Sequence, residues 1–165
     1  SLGAGGDDGQ DDEKDDEFEQ LLFSAFTSKT WDRHNLLAFA TYNATIDGTA
    51  PVYALFTGGG FLNMSGFEPN ELVGANFGVL GAGYRYEVLQ SGFLPGYVGT
   101  TVEYGNAADD RDDVFAEGLW NGSVYFGYDT PIGPLYVGYG WNELSRGLLF
   151  LRLGAVIGSD SIRRR

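Results

Sequence analysis

Cysteine is absent from the chain, so neither a disulfide framework nor a thiolate metal site can be built from it. Methionine and histidine occur once each, as Met64 and His34. Bases are scarce: 10 Lys and Arg stand against 23 Asp and Glu, a formal charge of −13, which argues against nucleic acid as a partner. There is no run of about 18 apolar residues, and the first residues carry no basic stretch leading into an apolar core. Neither a membrane-spanning helix nor a secretory leader is therefore expected within these 165 residues. The longest oily stretch, 147–158, is interrupted by Arg152. What is abundant is glycine, at 26 positions, together with 12 Phe, 10 Tyr and 3 Trp. That pairing is common in β-barrels, including those of membranes. The first residue is Ser1 rather than Met, so a piece of a longer protein is expected.

Residues 1–16 form one low-complexity tract, Gly-rich and then acidic, in which Asp7, Asp8, Asp11, Asp12, Glu13, Asp15 and Asp16 surround Lys14. Self-repulsion and the shortage of apolar residues keep such a tract solvated. Calcium is the sharper reading. The D-x-D/N-x-D/N-G spacing is missing, however, and no nonapeptide repeat follows, so a solvated loop is expected.

Beyond residue 17, turn chemistry divides the chain into short segments, and strands are predicted at 17–29, 33–45, 76–89, 96–105, 115–129, 134–141 and 147–157. Alternation is cleanest in the second half. Leu80, Ala82, Tyr84, Tyr86 and Val88 share one face of 76–89, and Arg85 and Glu87 the other. In 115–129, Trp120, Val124, Phe126 and Tyr128 alternate with Glu117, Asn121, Ser123 and Asp129. In 96–105, Val98, Val102 and Tyr104 alternate with Gly99, Thr101 and Glu103. The first two strands alternate poorly.

One oily and one polar face suit a soluble sandwich with the oily face inside, or a membrane barrel with it outside. Two features favour the barrel. Aromatics gather near strand ends, at Tyr84 and Tyr86, Phe126 and Tyr128, and Tyr139 and Trp141. Connections also alternate: tight near 30–33, 90–95 and 130–133, long at 46–75 and 106–114. Putting the tight turns on the periplasmic side sends every acidic segment, including Asp109, Asp110, Asp112 and Asp113, to the outside.

The segment Phe56-Thr57-Gly58-Gly59-Gly60-Phe61-Leu62-Asn63-Met64-Ser65-Gly66-Phe67 resembles the long extracellular loop of the outer-membrane assembly and two-partner-secretion barrels, the bacterial surface antigen superfamily. There an aromatic, a glycine pair and a tetrapeptide of Val or Leu, Arg or Ser, Gly, then Phe or Tyr fold back into the lumen. The version here is most similar to the barrel that ends bacterial patatin-like phospholipases of the type V autotransporter kind. Three further segments fit in order: Gly81-Ala82-Gly83-Tyr84-Arg85-Tyr86, then 98–106 with its Gly-x-x-x-Glu-x-Gly-Asn pattern around Glu103, then the hairpin 129–140. The resemblance covers residues 17–157.

That resemblance implies an all-β fold, the carboxyl-terminal seven or so strands of an antiparallel transmembrane β-barrel of about 16 strands. Residues 1–16 would be an acidic extracellular loop or tail, 17–157 the barrel segment with 46–75 folded inward, and 158–165 a basic tail. The loop motif would be Gly58, Gly59, Gly60, Ser65, Gly66 and Phe67. Arg85, Glu103, Glu117 and Arg152 would face the lumen, the two acids solvated or paired with the two arginines. Leu151, Leu153, Gly154 and Ile157 would form the strand that the insertion machinery reads, with Ile157 where an aromatic is usual. Ser65 stands where many members carry Arg, so the buried ion pair of those members is absent.

The function implied is to anchor or translocate an amino-terminal patatin-like phospholipase, a lipid acyl hydrolase, from the bacterial outer membrane. Partners would be the bilayer and lipopolysaccharide, the barrel-assembly machinery, the passenger domain and a second copy in a homodimer. No cofactor is expected, calcium at the acidic outer loops apart. A polypeptide-transport or barrel-assembly pore is the alternative, and a soluble acidic β-sandwich binding module the third reading. The segment itself lacks G-x-S-x-G, HExxH, a phosphate loop and a dinucleotide fingerprint, and a triad would have to use His34 in a tight turn. It is not expected to be an enzyme.

Overall fold

The computed structural model describes residues 18–89 and 95–154. The tract 1–16, most of the connection 90–95, Ile157 and the tail 158–165 lie outside the described residues. In chain order the elements are β1 (Glu19–Trp31), β2 (His34–Asp47), a 3₁₀ turn (Val52–Ala54), β3 (Phe56–Gly58), β4 (Leu72–Gly74), β5 (Asn76–Leu89), β6 (Gly96–Ala108), α1 (Asp113–Ala116), β7 (Leu119–Thr130), β8 (Gly133–Asn142) and β9 (Gly147–Leu153). Seven strands form one antiparallel sheet in the order β1-β2-β5-β6-β7-β8-β9, and β3 and β4 pair as a separate hairpin. The sheet is not closed: β1 and β9 each have a neighbour on one side only. No helix among the described residues is long and apolar enough to cross a membrane.

All seven expected strands are present, including the two that alternate poorly. The expected 115–129 strand starts later, at Leu119. Asp113–Ala116 turn into one helical turn instead, because Val114 buries against Gly78 and the Phe115 ring stacks on Tyr42. The long 46–75 connection contains the β3–β4 hairpin.

Register explains why glycine and aromatics are so abundant together. Phe39 lies opposite Gly81, Tyr125 opposite Gly99, Tyr97 opposite Gly127, and Phe150 opposite Gly138. A β-carbon on any of these four glycines would fall within 2.5 Å of the facing ring. Each ring thus lies across the strand into space that only glycine leaves, which covers the bare backbone and sets the pairing.

The loop 56–74 covers one face of the sheet, here the inner face. Arg152 on β9 and Leu22 on β1 line one cavity beside that loop, so the sheet curls until its two edge strands share a space. The outer face carries Leu80, Val98, Val102, Val124, Val137, Leu149 and Leu151, all exposed. Aromatics bracket this apolar surface. Trp31, His34 and Tyr86 cluster at the tight-turn end, where Phe126 also stacks on Tyr128. Tyr104 packs on Trp120 at the other end.

Candidate functional site

The loop turns back on itself within a few residues because its backbone enters left-handed conformations repeatedly. Gly59 and Gly60 have φ of 122° and 93°, and Leu62 and Met64 follow at 60° and 77°. Glycine takes such angles freely, whereas Leu and Met do so only when the surroundings hold them there. Inside the loop, Gly59 N–H donates to the Asn63 carbonyl at 2.7 Å and Gly60 N–H to that of Phe67 at 2.9 Å.

What holds the tip is Glu103 on β6. Its side chain is fully buried, and four donors converge on its carboxyl group. Met64 N–H and Ser65 N–H reach Oε2 at 2.7 and 2.8 Å. The Ser65 hydroxyl donates to Oε1, and so does that of Thr101 at 2.9 Å. Two consecutive backbone N–H groups on one oxygen make a small anion-binding nest, here filled by the protein's own side chain. Ser65 Oγ also accepts from Leu62 N–H at 3.0 Å, so one hydroxyl ties the tip to itself and to the wall.

Glu103 belongs to a row that crosses the sheet through direct partners: Phe39, Gly81, Glu103, Asn121 and Asn142. Asn121 Oδ1 accepts from Gly66 N–H at 3.2 Å, and Asn142 Nδ2 donates to the Gly66 carbonyl at 2.8 Å. The loop backbone lies directly on β8. A β-carbon on Gly66 would sit 2.3 Å from the Trp141 carbonyl oxygen, and one on Gly140 would sit 1.9 Å from that of Ser65.

Two aromatic anchors flank this polar row. Phe67 is buried with Met64, Phe77 and Val79. Phe61 enters a cage of Tyr125, Tyr136 and Phe150, with ring centroids 4.8, 5.1 and 5.0 Å away. At the rim, Arg146 pairs with Glu71.

Of the six residues of the expected loop motif, Ser65 binds Glu103 directly, whereas Gly59 and Gly60 form the turn of the loop. Gly58 is buried under the Phe77 ring, and Ser65, Gly66 and Phe67 are buried against the sheet. Three expectations for the polar residues need correction. Glu103 is neither solvated nor paired with arginine, because the loop itself supplies its donors. Glu117 is not on the inner face: it is exposed just past α1, where its carbonyl accepts from Asn106 Nδ2. Arg85 stands on the inner face of β5, over the Tyr97 ring at 4.8 Å, and pairs with neither acid. Arg152 is on the inner side of β9, exposed. Leu151 and Leu153 point outward, and Gly154 ends the described chain at φ 121°. The roles of Phe61 and Asn142 were missed, since nothing local distinguishes them from other strand or loop residues.

Chemically this is a clamp. Ser65 is inaccessible, and His34 is on the outer face with Nδ1 held 2.7 Å from the Tyr84 hydroxyl, so these residues do not form a nucleophile–base pair. Among the described residues no group of three or more His, Asp or Glu is placed to hold a metal ion. Compared with known proteins, the chain matches no family model, no curated protein and no solved structure.

Proposed function

We propose that this chain supplies seven strands of a bacterial outer-membrane β-barrel, about 16 strands when whole, which anchors or translocates an amino-terminal patatin-like phospholipase domain. The observation that carries the reading is the sheet's polarity: bare aliphatic side chains outside, and a buried polar row clamping a folded-back loop inside. A sandwich core would bury the aliphatic face, whereas lipid covers it in a barrel. Along β7, Trp120 to Tyr128 spans roughly 27 Å of strand, or roughly 20 Å of height at a barrel's tilt, near the ~25 Å apolar band of such proteins. The unpaired edges of β1 and β9 fit a fragment, since every open backbone group in lipid costs several kcal/mol. Further strands of the same protein, or a second copy, would close them.

The loop then braces the lumen and holds the wall around it. Ser65 in the clamp in place of Arg weighs against a polypeptide-transport pore of the same superfamily. The test is the reading frame upstream of Ser1, together with fractionation of the whole product. A G-x-S-x-G hydrolase domain and outer-membrane recovery are expected. Tandem small α/β repeats would establish the transport reading instead, and a soluble product would sink both.

A further inference from the structure

We propose that Lys29, Trp31 and His34, on the outer face at the tight-turn end, seat the phosphate of one glycerophospholipid from the membrane leaflet on that side. This rests on the reading of the outer face as a lipid-facing barrel wall. Pairing register fixes which side chains share that face. Lys29 is level with Leu36, Tyr84, Thr100 and Val124, and Trp31 with His34, Tyr86, Val98 and Phe126. From Leu21 on β1 to Leu153 on β9, Lys29 is the one charged side chain at the outward strand positions of the described residues. It is exposed and makes no ion pair among the described residues. A charge on a lipid-facing strand is costly at the bilayer midplane and nearly free at the interface. Strand stagger puts Lys29 at the interface. β1 ends at Trp31, whereas β7 runs on from the level position Val124 as far as Thr130. The lysine stem therefore lies along the apolar wall while its ammonium reaches head-group depth, where it meets phosphate.

The rings beside the lysine suit the same depth. Trp31 stacks on His34 with centroids 5.7 Å apart, and Tyr86 lies 5.1 Å from His34. The Tyr84 hydroxyl occupies His34 Nδ1 at 2.7 Å, which leaves Nε2 as the ring's remaining polar atom, without a protein partner among the described residues. Lys29 and His34 are diagonal neighbours across β1 and β2, roughly 7–8 Å apart along the backbone. One phosphate, with several acceptor oxygens, takes hydrogen bonds from both. The occupant is a lipid rather than a soluble anion because the site opens onto exposed apolar wall, Leu36 and Val98. Toward the middle of the sheet, Thr27, Ala38 and Ala82 are level and short, which leaves room for an acyl chain beside Leu36. Because β1, β2 and β5 are consecutive in the sheet, the cluster does not depend on how the open edges are closed.

The test titrates the parent protein, purified in dodecyl maltoside, with dipalmitoyl phosphatidylglycerol and reads bound lipid by native mass spectrometry. One phospholipid per chain is expected to bind saturably. Dipalmitoylglycerol, with the same chains and no phosphate, should bind roughly tenfold less tightly. Lys29→Gln should remove most of that preference, and Lys29→Arg, which keeps the cation, should retain it. His34→Phe, which keeps a ring and loses its nitrogens, should weaken phospholipid binding severalfold. Equal binding of the two lipids by the wild type, or unaltered binding in both Lys29→Gln and His34→Phe, would overturn the proposal. So would a Lys29→Gln variant that is less stable but keeps the preference, the result expected if the lysine pairs with an acid on a strand added beside β1. Heat-modifiable migration on gels reports separately whether a barrel has formed, so a failed barrel reading is distinguishable from a missing lipid site.

Discussion

The Ser65 hydroxyl donates to the carboxylate of Glu103, 38 residues further along the chain, and both side chains are fully buried. Glycines turn the loop, but this contact and the two backbone N–H groups beside it fix where the turn comes to rest. The left-handed Met64 places its own N–H and that of Ser65 on the same oxygen, so an unfavourable backbone angle and a buried carboxylate are compensated by one set of bonds.

Removing the carboxylate should release the loop. Glu103→Ala leaves the Met64 and Ser65 N–H groups buried without partners, at about 1–3 kcal/mol each. Glu103→Gln keeps one acceptor oxygen for both N–H groups, while the Ser65 and Thr101 hydroxyls can rotate to accept from the new amide, so its effect should be less than half as large. Limited proteolysis within 56–74 and the temperature of the gel-mobility shift measure it. A Glu103→Ala loop as protected as the wild type would show that the aromatic anchors hold the loop alone.

Gly66→Ala and Gly140→Ala should have the same consequence by another route. In both cases the added carbon would strike a facing carbonyl oxygen, so loop and strand must separate. Gly60→Ala is the comparison: its β-carbon meets nothing closer than Pro69 Cγ at 3.6 Å, and only the φ of 93° is unfavourable, about 1–3 kcal/mol. Proteolysis should rank Gly66 and Gly140 variants above Gly60. Equal protection in all three would mean that the loop does not rest on β8 in solution.

Phe61→Ala should empty the cage between Tyr125, Tyr136 and Phe150, costing about 3–5 kcal/mol if the rings do not collapse inward. On the proposed barrel reading, because Phe61 lies on the loop and its cage on the sheet, the loss should also raise single-channel conductance of the parent protein in planar bilayers. Unchanged conductance with lowered stability would assign Phe61 a packing role only.

Most of the wall was legible in the sequence, because a period of two residues survives translation from pattern to pleat: Asn121, Ser123, Thr101 and Glu103 read as one polar face and stand on one face. That the 46–75 loop lies on that face came from the resemblance rather than from the pattern, and its contact with Glu103 was not legible at all. Three of the four donors on Glu103 come from Met64 and Ser65, 38–39 residues away, and two of those are backbone groups, which carry no residue signature. Glu117 misled for the opposite reason. Ala116 and Gly118 continue the even-numbered pattern of β7, but Val114 gains more by burying against Gly78 than by extending the strand, and the chain makes a helical turn there. The β1 strand hid its period because both of its faces are mixed: Leu22 and Phe26 stand inward among Gln20, Ser24 and Ser28, while Thr27 and Lys29 stand outward with Leu21 and Phe23.

The outer face offers the sharpest division between a barrel and a soluble sheet. Val124 lies midway along β7, half-exposed, between Trp120 and the Phe126–Tyr128 pair. On a water-exposed surface Val124→Arg should change stability by only about 0.5 kcal/mol. Facing the middle of a bilayer, the same change should cost about 2–4 kcal/mol, and near the aromatic ends an equivalent substitution should cost about 0–1 kcal/mol. Tyr128→Arg serves as that second position. Reversible unfolding of the parent protein in the presence of lipid vesicles measures both. A large Val124 penalty with a small Tyr128 penalty supports lipid against this face, because Tyr128 also gives up its stacking on Phe126, so packing loss alone would make its penalty the larger. Equal, small penalties would place the face in water and return the sheet to a soluble role.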